Sequence, residues 1–463
     1  MGSADGTGDG QYNCTFPDGL ADHGRMVELF CDAVRYSRDL EFMQRSLPAV
    51  LRVGQYLIDS YAKAVRALPE ADPRHGLIFG PAEHDTCDMG MGSSSPIVDG
   101  QYMLYYYSVS MWHWRGMVEL GRLLDAFPQV HQNSSFAAEL LRTAGRLKAD
   151  IDASLLASVG RDSSGQVTFV PSCAIPHGTT APPFESMTQD VVASYSNFRY
   201  YSEMLSSGFL SDELAVALMS FRETHGGCLS GMTRYADHLD DMPAIGYAIS
   251  SLEKDRTGPF LLQLYGHAAN YHGRGSFFST EQASLYAEQT EPGSLPAWRA
   301  SLGELQADFC VASQCLIASM TAMQVVFGER DTRTVWLARA APRRWYSPAA
   351  GGLAVERAPT RYGNVSFTIS ALPVPGCFDR VGACVLNAEI RADFTLPLGS
   401  SAAGPPAIRM RVRDPLGTGR KMEGRALSPA DCSVSNVDPD QELLTILPLS
   451  EVTSSCRIVA MYS

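Results

Sequence analysis

Apolar residues recur at intervals of three and four positions from residue 22 to about residue 346, which is typical of amphipathic helices. The stretch 40–68 shows this most clearly, with apolar side chains at Leu47, Val50, Leu51, Val53, Leu57 and Ile58. The same period predicts helices over 26–36, 99–127, 136–159, 188–204, 211–223, 258–271, 280–286, 295–327 and 332–340. Because Pro- and Gly-rich loops separate them and no repeat of fixed length occurs, we expect a toroid of diverged helical hairpins.

The pattern changes near residue 347, where short runs of alternating polar and apolar residues begin. These runs predict strands over 353–355, 363–370, 387–394, 408–412, 443–447 and 457–461. They lie too close together for crossover helices, so we expect a small antiparallel β-sandwich. The sequence thus predicts a disordered or extended segment at 1–21, a mainly α domain at 22–346 and a β-sandwich domain at 347–463.

Charge and hydropathy exclude two classes of partner. The chain has 463 residues, with 37 Lys and Arg against 50 Asp and Glu, and no basic cluster that could neutralise a phosphate backbone. We therefore expect no nucleic-acid partner. No apolar run reaches the roughly 18 residues of a membrane-spanning helix. We expect a soluble protein with no membrane partner.

The eleven cysteines are scattered, without a CxxC pair or histidines at zinc-ligand spacing. We therefore expect neither a metal centre nor a cofactor. Cys377 and Cys384 flank a short loop in the β region, and acceptor sequons at Asn13, Asn133 and Asn364 suit the secretory pathway. The first twenty residues lack the pattern of a signal peptide, which leaves a cytoplasmic location open.

One candidate for chemistry is the loop HGLIFGPAEHDTCD, which contains Glu83, His84 and Asp85 between two apolar helices. Catalytic residues concentrate on loops held by a rigid scaffold, although an acidic loop can also be a solvated connection. The aromatic helix that follows contains Trp112 and Trp114. These rings can stack on sugars or simply pack in the core.

A second candidate is GGCLSGMTRYADHLDDMP, which brings Arg234, Asp237, His238, Asp240 and Asp241 within eight positions. Ionisable groups so close together are costly unless they are hydrated, paired or bound to a ligand. The spacing of an EF-hand calcium loop is absent. We therefore favour binding of sugar hydroxyls over a metal, with a bound ion at the acids as the alternative.

A third candidate is LYGHAANYHGRGSFFSTEQASL, which contains His267, His272, Arg274 and Glu281. In one interpretation, Glu281 has no catalytic role and its negative charge merely stabilises the start of a helix. Alternatively, it is one of two carboxylates, paired with Glu83 or Asp85 across the mouth of the toroid. Hydrolysis of a glycosidic bond needs two carboxyl groups in different environments. The nucleophile elbow GxSxG and the phosphate loops GxGxxG and GKS/T are absent.

These passages resemble the six-hairpin glycosidase superfamily, whose members join an (α/α)6 toroid to β-sandwich domains. DAVRYSRDLEFMQRSLPAVLRVGQYLID is similar to a helix pair of these enzymes, with Asp39 at their conserved Asp position. GLIFGPAEHD resembles their active-end loop. LARAAPRRWYSPAAGGLAVERAPTRYGNVSFTI resembles the junction between toroid and C-terminal sandwich. The resemblance covers the chain from about residue 22. The chain departs from the superfamily in lacking the usual N-terminal sandwich and in showing only about five hairpins.

The resemblance implies an inverting glycoside hydrolase of oligo- or polysaccharides, with an earlier carboxylate as general acid and a later one as base. By position these are Glu83 or Asp85, and Glu281. The predicted substrate-binding residues are His84, Trp112, Trp114, Arg234, His238, Asp240, Asp241, His267, His272 and Arg274. The expected partner is a carbohydrate, and the oligomeric state stays open.

Two other functions fit the sequence. A polysaccharide lyase of the α/α toroid type would use Tyr106, His267, Tyr271 or His272 to remove a proton beside a uronate. It ranks lower because acids outnumber cations in the candidate loops. A carbohydrate-binding protein that has lost activity is the third hypothesis, since a hairpin and a sandwich are missing.

Overall fold

The computed structural model describes residues 20–80, 104–128, 130, 134–176, 183–235, 238–272, 279, 282–284, 310–347, 350–371, 384–393, 406–415, 421–426, 432–448 and 452–462. The chain divides into two compact units. Unit 1 comprises Met1–Cys31 and Asp39–Ala318, and unit 2 comprises Asp32–Arg38 and Ser319–Ser463. Unit 2 thus begins earlier than the boundary that the sequence predicts near Ser347.

Unit 1 is mainly helical in its described part. Its helices are α1 (Leu20–Ser37, whose last turns count with unit 2), α2 (Leu40–Ala67), α3 (Tyr107–Ala126), α4 (Ser134–Ser158), α5 (Val191–Tyr195), a π-helix (Ser196–Tyr200), α6 (Tyr201–Ser206), α7 (Asp212–Thr224), α8 (Ile245–Glu253), α9 (Thr257–Asn270) and α10 (Val311–Val325), which continues into unit 2. Helix α3 packs against α2, α4 and α6, and α8 packs against α6 and α9. The expected helical domain is confirmed, and a toroid stays a prediction.

Local chemistry explains where the helices begin. The Asp39 carboxylate accepts a hydrogen bond from the Phe42 N–H at 2.8 Å, so it caps α2. Ser211 caps α7 in the same way through the N–H of Leu214. Helix α3 is buried on almost every side, including Arg115 and Glu119, which form an ion pair at 3.0 Å. A helix buried all round occupies the centre of its packing unit.

Unit 1 also contains small antiparallel sheets. One is the hairpin of β1 (Gly160–Arg161) and β2 (Val167–Phe169). The other has the order β3 (Cys228–Leu229), β4 (Met232–Tyr235), β5 (His238–Asp240) and β6 (Gln282–Ser284). The helix predicted over 280–286 is therefore wrong in its described part. Residues 282–284 instead pair with β5, because the edge of that strand supplies backbone hydrogen-bond partners that a short segment lacks by itself.

Unit 2 is built from two five-stranded sheets around one apolar core. The first has the order β13 (Met422–Ala426), β16 (Val452–Tyr462), β11 (Cys384–Asp393), β10 (Gly363–Ala371) and β9 (Leu353–Thr360). The second has the order β14 (Cys432–Asp438), β15 (Leu443–Pro448), β12 (Ala407–Arg411), β8 (Thr334–Leu337) and β7 (Val326–Gly328). Side chains from both sheets form the core, and a disulfide joins Cys432 to Cys456.

Two sequence predictions for this region need correction. The stretch 332–340 is not a helix, since Thr334–Leu337 forms a fully buried strand whose four residues all lie in the interior. A strand buried on both faces loses the alternating pattern and cannot be told from a helix by periodicity. The sheets are also not purely antiparallel, because β8 pairs with β12 in parallel. The expected β-rich C-terminal region is confirmed.

Acid should destabilise unit 1 through His113, a fully buried residue on α3. Burial, followed by repulsion from His23, lowers the pKa of His113 to about 3, against an opposing hydrogen bond to the Val109 carbonyl. The unfolded chain takes up this proton near pH 6.5, so the stability is complete above that pH and declines as the pH falls towards 3. We expect this residue alone to remove about 2 kcal/mol of unfolding free energy between pH 7 and 5.

Urea unfolding followed by circular dichroism at 222 nm tests this at pH 7 and pH 5. His113→Gln should lose about 2 kcal/mol less than the parent chain over that interval, because glutamine takes up no proton. Equal losses in both chains would assign the acid sensitivity to other groups.

Candidate functional site

A π-helix lies at the centre of the candidate site. Such segments are rare and frequently mark functional positions. Asn197, which is fully buried, anchors this one to the neighbouring sheet: its side-chain amide donates to the carbonyls of Gly227 at 2.7 Å and Arg234 at 2.8 Å. Its carbonyl oxygen accepts a hydrogen bond from Arg222 Nε at 3.1 Å. The π-helix is therefore hydrogen-bonded to β4, the strand that pairs with β5 and thus with the predicted acid Asp240.

Charged side chains from four elements meet beside the π-helix. We call Arg25, Arg199, Glu203 and Asp240 the central charge cluster. Glu203 Oε1 lies 2.6 Å from Arg25 Nη2 and 3.5 Å from Arg199 Nε. Burial lowers the pKa of Arg199, whereas the nearby carboxylates of Glu203, Asp22 and Asp240 oppose that shift. The cluster thus places two buried carboxylates within the electrostatic reach of one guanidinium.

Asp241 and His267 form a second buried pair next to this cluster. His267 Nδ1 lies 2.8 Å from Asp241 Oδ2, and His267 Nε2 lies 2.9 Å from the Ser313 carbonyl oxygen. Both ring nitrogens of His267 therefore face hydrogen-bond acceptors, one a carboxylate and the other a carbonyl. The ring of His272 is 5.1 Å away. Within the described ranges, no three His, Cys, Asp or Glu side chains are placed to hold a metal ion.

The sheet connects these acids to the segment that follows Glu281. Gln282 is the first residue of β6 and pairs with Asp240 in β5. His272 and Ser279, which come before this strand in the chain, form an isolated β-bridge. The first described residue after Glu281 is therefore the register partner of Asp240.

The described residues before and after the segment that contains Glu83 and Asp85 lie next to each other. Gly80 and Leu104, the described residues on either side of it, form an isolated β-bridge. Two residues later, the Tyr106 ring lies 4.5 Å from the ring of Tyr200 at the end of the π-helix. Described residues that follow each segment with predicted catalytic acids, Tyr106 and Gln282, therefore contact the π-helix or pair with the central charge cluster.

A cavity of about 700 Å³ lies along the chain segment before the π-helix, within the usual range for ligand pockets. Ser172 in its wall is hydrogen-bonded to Ser196, the first residue of the π-helix, at 3.0 Å. Its lining is mixed, with two aromatic rings and two carboxylates: Phe169, Pro171, Ser172, Cys173, Pro183, Phe184, Glu185, Ser186, Gln189, Asp190 and Val192. This composition suits a polar, uncharged ligand better than an anion.

The predicted site residues fall into three groups. Glu83, His84, Asp85, Arg274 and Glu281 lie outside the described residues, as does the side chain of His238, whose backbone belongs to β5. The structure brings together Asp240, Asp241, His267 and His272, and it places Arg234 on the neighbouring strand β4. Their roles in binding substrate stay predictions.

The two tryptophans of α3 face different surroundings, because residues two apart point to different sides of a helix. The guanidinium of Arg25 lies over the Trp112 ring at 5.3 Å from its centroid, which places Trp112 beside the central charge cluster. Trp114 packs edge-on against Phe209 at 5.0 Å. The structure therefore joins Trp112, but not Trp114, to this cluster.

Sequence reasoning missed Arg25, Arg199 and Glu203. Arg25 follows Asp22 by three residues and Arg199 precedes Glu203 by four, and charges at such spacings usually pair on a solvated helix face. The one signal for Glu203 is its apolar surroundings in the sequence NFRYYSEMLSS, where a charged residue needs a partner if the helix is buried. That partner, Arg25, is too distant in sequence to be assigned without the tertiary structure.

Two of the four groups proposed for a lyase, Tyr106 and His267, are poorly placed for proton abstraction. Burial raises the pKa of Tyr106 to about 12, so its phenolate is scarce at neutral pH. His267 is fully buried, and both of its nitrogens already have partners. Neither residue therefore offers a free base in the structure.

Neither a protein-family model nor a curated protein matches this chain. Among solved structures, the chain is similar to the crystal structure of Streptomyces avermitilis alpha-L-rhamnosidase complexed with L-rhamnose, with 12% identity and a TM-score of 0.36. The likeness is weak. It covers 91% of this chain and 31% of the rhamnosidase, so the chain spans about a third of that enzyme's length. Similarity at this level carries no argument about activity or substrate.

Proposed function

We propose that this chain is a glycoside hydrolase that cleaves an oligo- or polysaccharide with two carboxyl groups. The observation that carries the proposal is the pairing of β6 with β5, which puts the residue after Glu281 opposite the buried Asp240. The catalytic pair is then Glu83 or Asp85 as general acid and Glu281 as base. Cleavage requires a proton for the leaving oxygen and a base on the opposite side.

The surroundings of these segments suit a carbohydrate. Buried Asp, Glu, Arg and His side chains provide both donors and acceptors for hydroxyl groups, and the cavity of about 700 Å³ adjoins the π-helix. The central charge cluster would hold the sugar while the two predicted acids act on the bond. Hydrolysis by this route needs no cofactor.

The same proposal favours the secretory pathway over the cytoplasm. The disulfide between Cys432 and Cys456 links two strands of unit 2, and disulfides persist mainly in oxidising compartments. The described part of the chain contains no helix that is both long and apolar enough to cross a membrane.

An activity screen tests the proposal. The full chain is incubated with aryl glycosides and with mixed algal and plant glycans, beside the variants Glu83→Gln, Asp85→Asn and Glu281→Gln. We expect release of reducing sugar, which Glu281→Gln and either Glu83→Gln or Asp85→Asn lower by about 100- to 10,000-fold, the usual contribution of general acid–base catalysis.

Glu41→Gln is the matched control, because Glu41 is an exposed residue in the first turn of α2. It should retain full activity. Products that absorb in the ultraviolet would show that the chain is a lyase and not a hydrolase. Glycan binding without turnover would show that the chain is an inactive carbohydrate-binding protein.

A further inference from the structure

The buried carboxylate of Glu203 and the indole of Trp112 both have unused hydrogen-bonding capacity. Glu203 is 1% exposed and Trp112 is 5% exposed. Glu203 Oε2 and Trp112 Nε1 have no hydrogen-bond partner within the described part of the chain. A buried polar group without a partner costs free energy, and buried polar atoms in native proteins are nearly always paired.

The two groups lie around the same guanidinium. Arg25 contacts the other oxygen of Glu203 at 2.6 Å and lies over the Trp112 ring at 5.3 Å from its centroid. Helices α3 and α6, which carry Trp112 and Glu203, pack against each other. An acceptor and a donor thus remain open on two residues that both contact Arg25, while the Arg25 guanidinium covers one face of the indole.

The chemistry of the open groups selects the ligand. A hydroxyl group can donate to Glu203 Oε2 and accept from Trp112 Nε1, so a polyhydroxylated molecule satisfies both demands. A carboxylate or a phosphodiester has no proton to donate at neutral pH, so such a group cannot satisfy Glu203 Oε2. A cationic ligand is repelled by Arg25 and Arg199, which already neutralise that carboxylate.

We propose that Glu203, Trp112 and Arg25 form a binding subsite for an uncharged sugar ring. It rests on the proposed function, since the sugar would be a unit of the glycan that is cleaved. In this subsite the sugar meets the N–H edge of Trp112 rather than its face, because the Arg25 guanidinium lies over the ring. Recognition therefore depends on hydrogen bonds and not on stacking.

The test measures binding to the full chain by saturation-transfer NMR and calorimetry. The probes are L-rhamnose, D-glucose and D-galactose as neutral sugars and D-glucuronate as the anionic counterpart. We expect at least one neutral sugar to bind, D-glucuronate to bind more weakly, and Glu203→Gln to raise the Kd of the neutral sugar about tenfold or more, the usual cost of losing a charged hydrogen bond.

Trp112→Phe is the second variant, since it removes the N–H and keeps most of the apolar ring, and it should raise the Kd by a similar factor. The matched controls are Glu223→Gln, which breaks an ion pair with Arg256 at 2.7 Å on the surface of α7, and Trp345→Phe in unit 2. Both controls should bind as the parent chain does. If Glu203→Gln fails to fold, Trp112→Phe decides the result.

Unchanged affinity in the variants, stronger binding of D-glucuronate, or no binding of any neutral sugar would each overturn the subsite. These results are distinguishable from failure of the hydrolase proposal. Sugar binding that depends on Glu203, without any hydrolysis, would contradict the hydrolase proposal and support the subsite. Hydrolysis with an unchanged KM in Glu203→Gln would support the hydrolase proposal and contradict the subsite.

Discussion

Replacing His267 by alanine is expected to lower the unfolding free energy of unit 1 by about 3 to 5 kcal/mol, the usual cost of removing one partner of a buried ion pair. Both His267 and Asp241 are fully buried, and Nδ1 lies 2.8 Å from the carboxylate. Without the imidazole, the carboxylate keeps a hydrogen bond from the N–H of Thr233 at 3.1 Å. The carboxylate would then be a buried charge without a counterion.

Urea unfolding at pH 7, followed by circular dichroism at 222 nm, measures the loss. Adding Asp241→Asn to His267→Ala should recover at least about 1 kcal/mol, because the uncompensated charge disappears. Asp152→Asn is the control, since it breaks an exposed pair with Lys148 at 2.7 Å and should cost less than about 0.5 kcal/mol. A loss in His267→Ala no larger than in this control would show that the buried pair contributes nothing.

Gly24→Ala should be at least as damaging, with an expected loss of about 3 kcal/mol or more. A Cβ atom at Gly24 would lie 1.9 Å from the carbonyl oxygen and 2.4 Å from the carbonyl carbon of Trp112. These are backbone atoms and cannot turn aside as a flexible side chain can. Helix α1 must therefore move away from α3, where Gly116 faces Gly24 with a Cβ position 2.8 Å from its Cα.

Gly145→Ala is the matched control for this change. Gly145 is also a helical glycine of unit 1, on α4, and a Cβ atom there meets nothing within 4 Å. Alanine should stabilise the chain by about 0.5 to 1 kcal/mol, through its higher helix propensity. The two variants are compared by their thermal midpoints, and shifts of the same sign would contradict the close approach of α1 and α3.

Part of the candidate site could be predicted from local sequence. Asp240, Asp241 and His267 were suspected because ionisable groups crowd within short segments, and the structure indeed places them together in the interior. Glu203 and Arg25 could not be found in this way. They are separated by most of unit 1, and only the packing of their helices places Glu203 Oε1 2.6 Å from the guanidinium.

The conformation of two short segments also could not be predicted from local sequence. Residues 282–284 and 334–337 both lie in stretches with an apparent helical period, yet both form strands. A segment of three or four residues makes too few local contacts to determine its own conformation, so the strand beside it decides. The pairing partners are β5 for the first segment and β7 and β12 for the second.

The sequence by itself determined the long helices, such as Leu40–Ala67, and the change to a β-rich region near the C-terminus. Helix and strand periods, capping residues and turn residues are local properties, so they can be identified from the sequence alone. Only the tertiary structure decided which charges are buried together, which short segments become strands, and where a π-helix interrupts Val191–Ser206. Those outcomes depend on contacts between residues far apart in the chain, which local patterns do not specify.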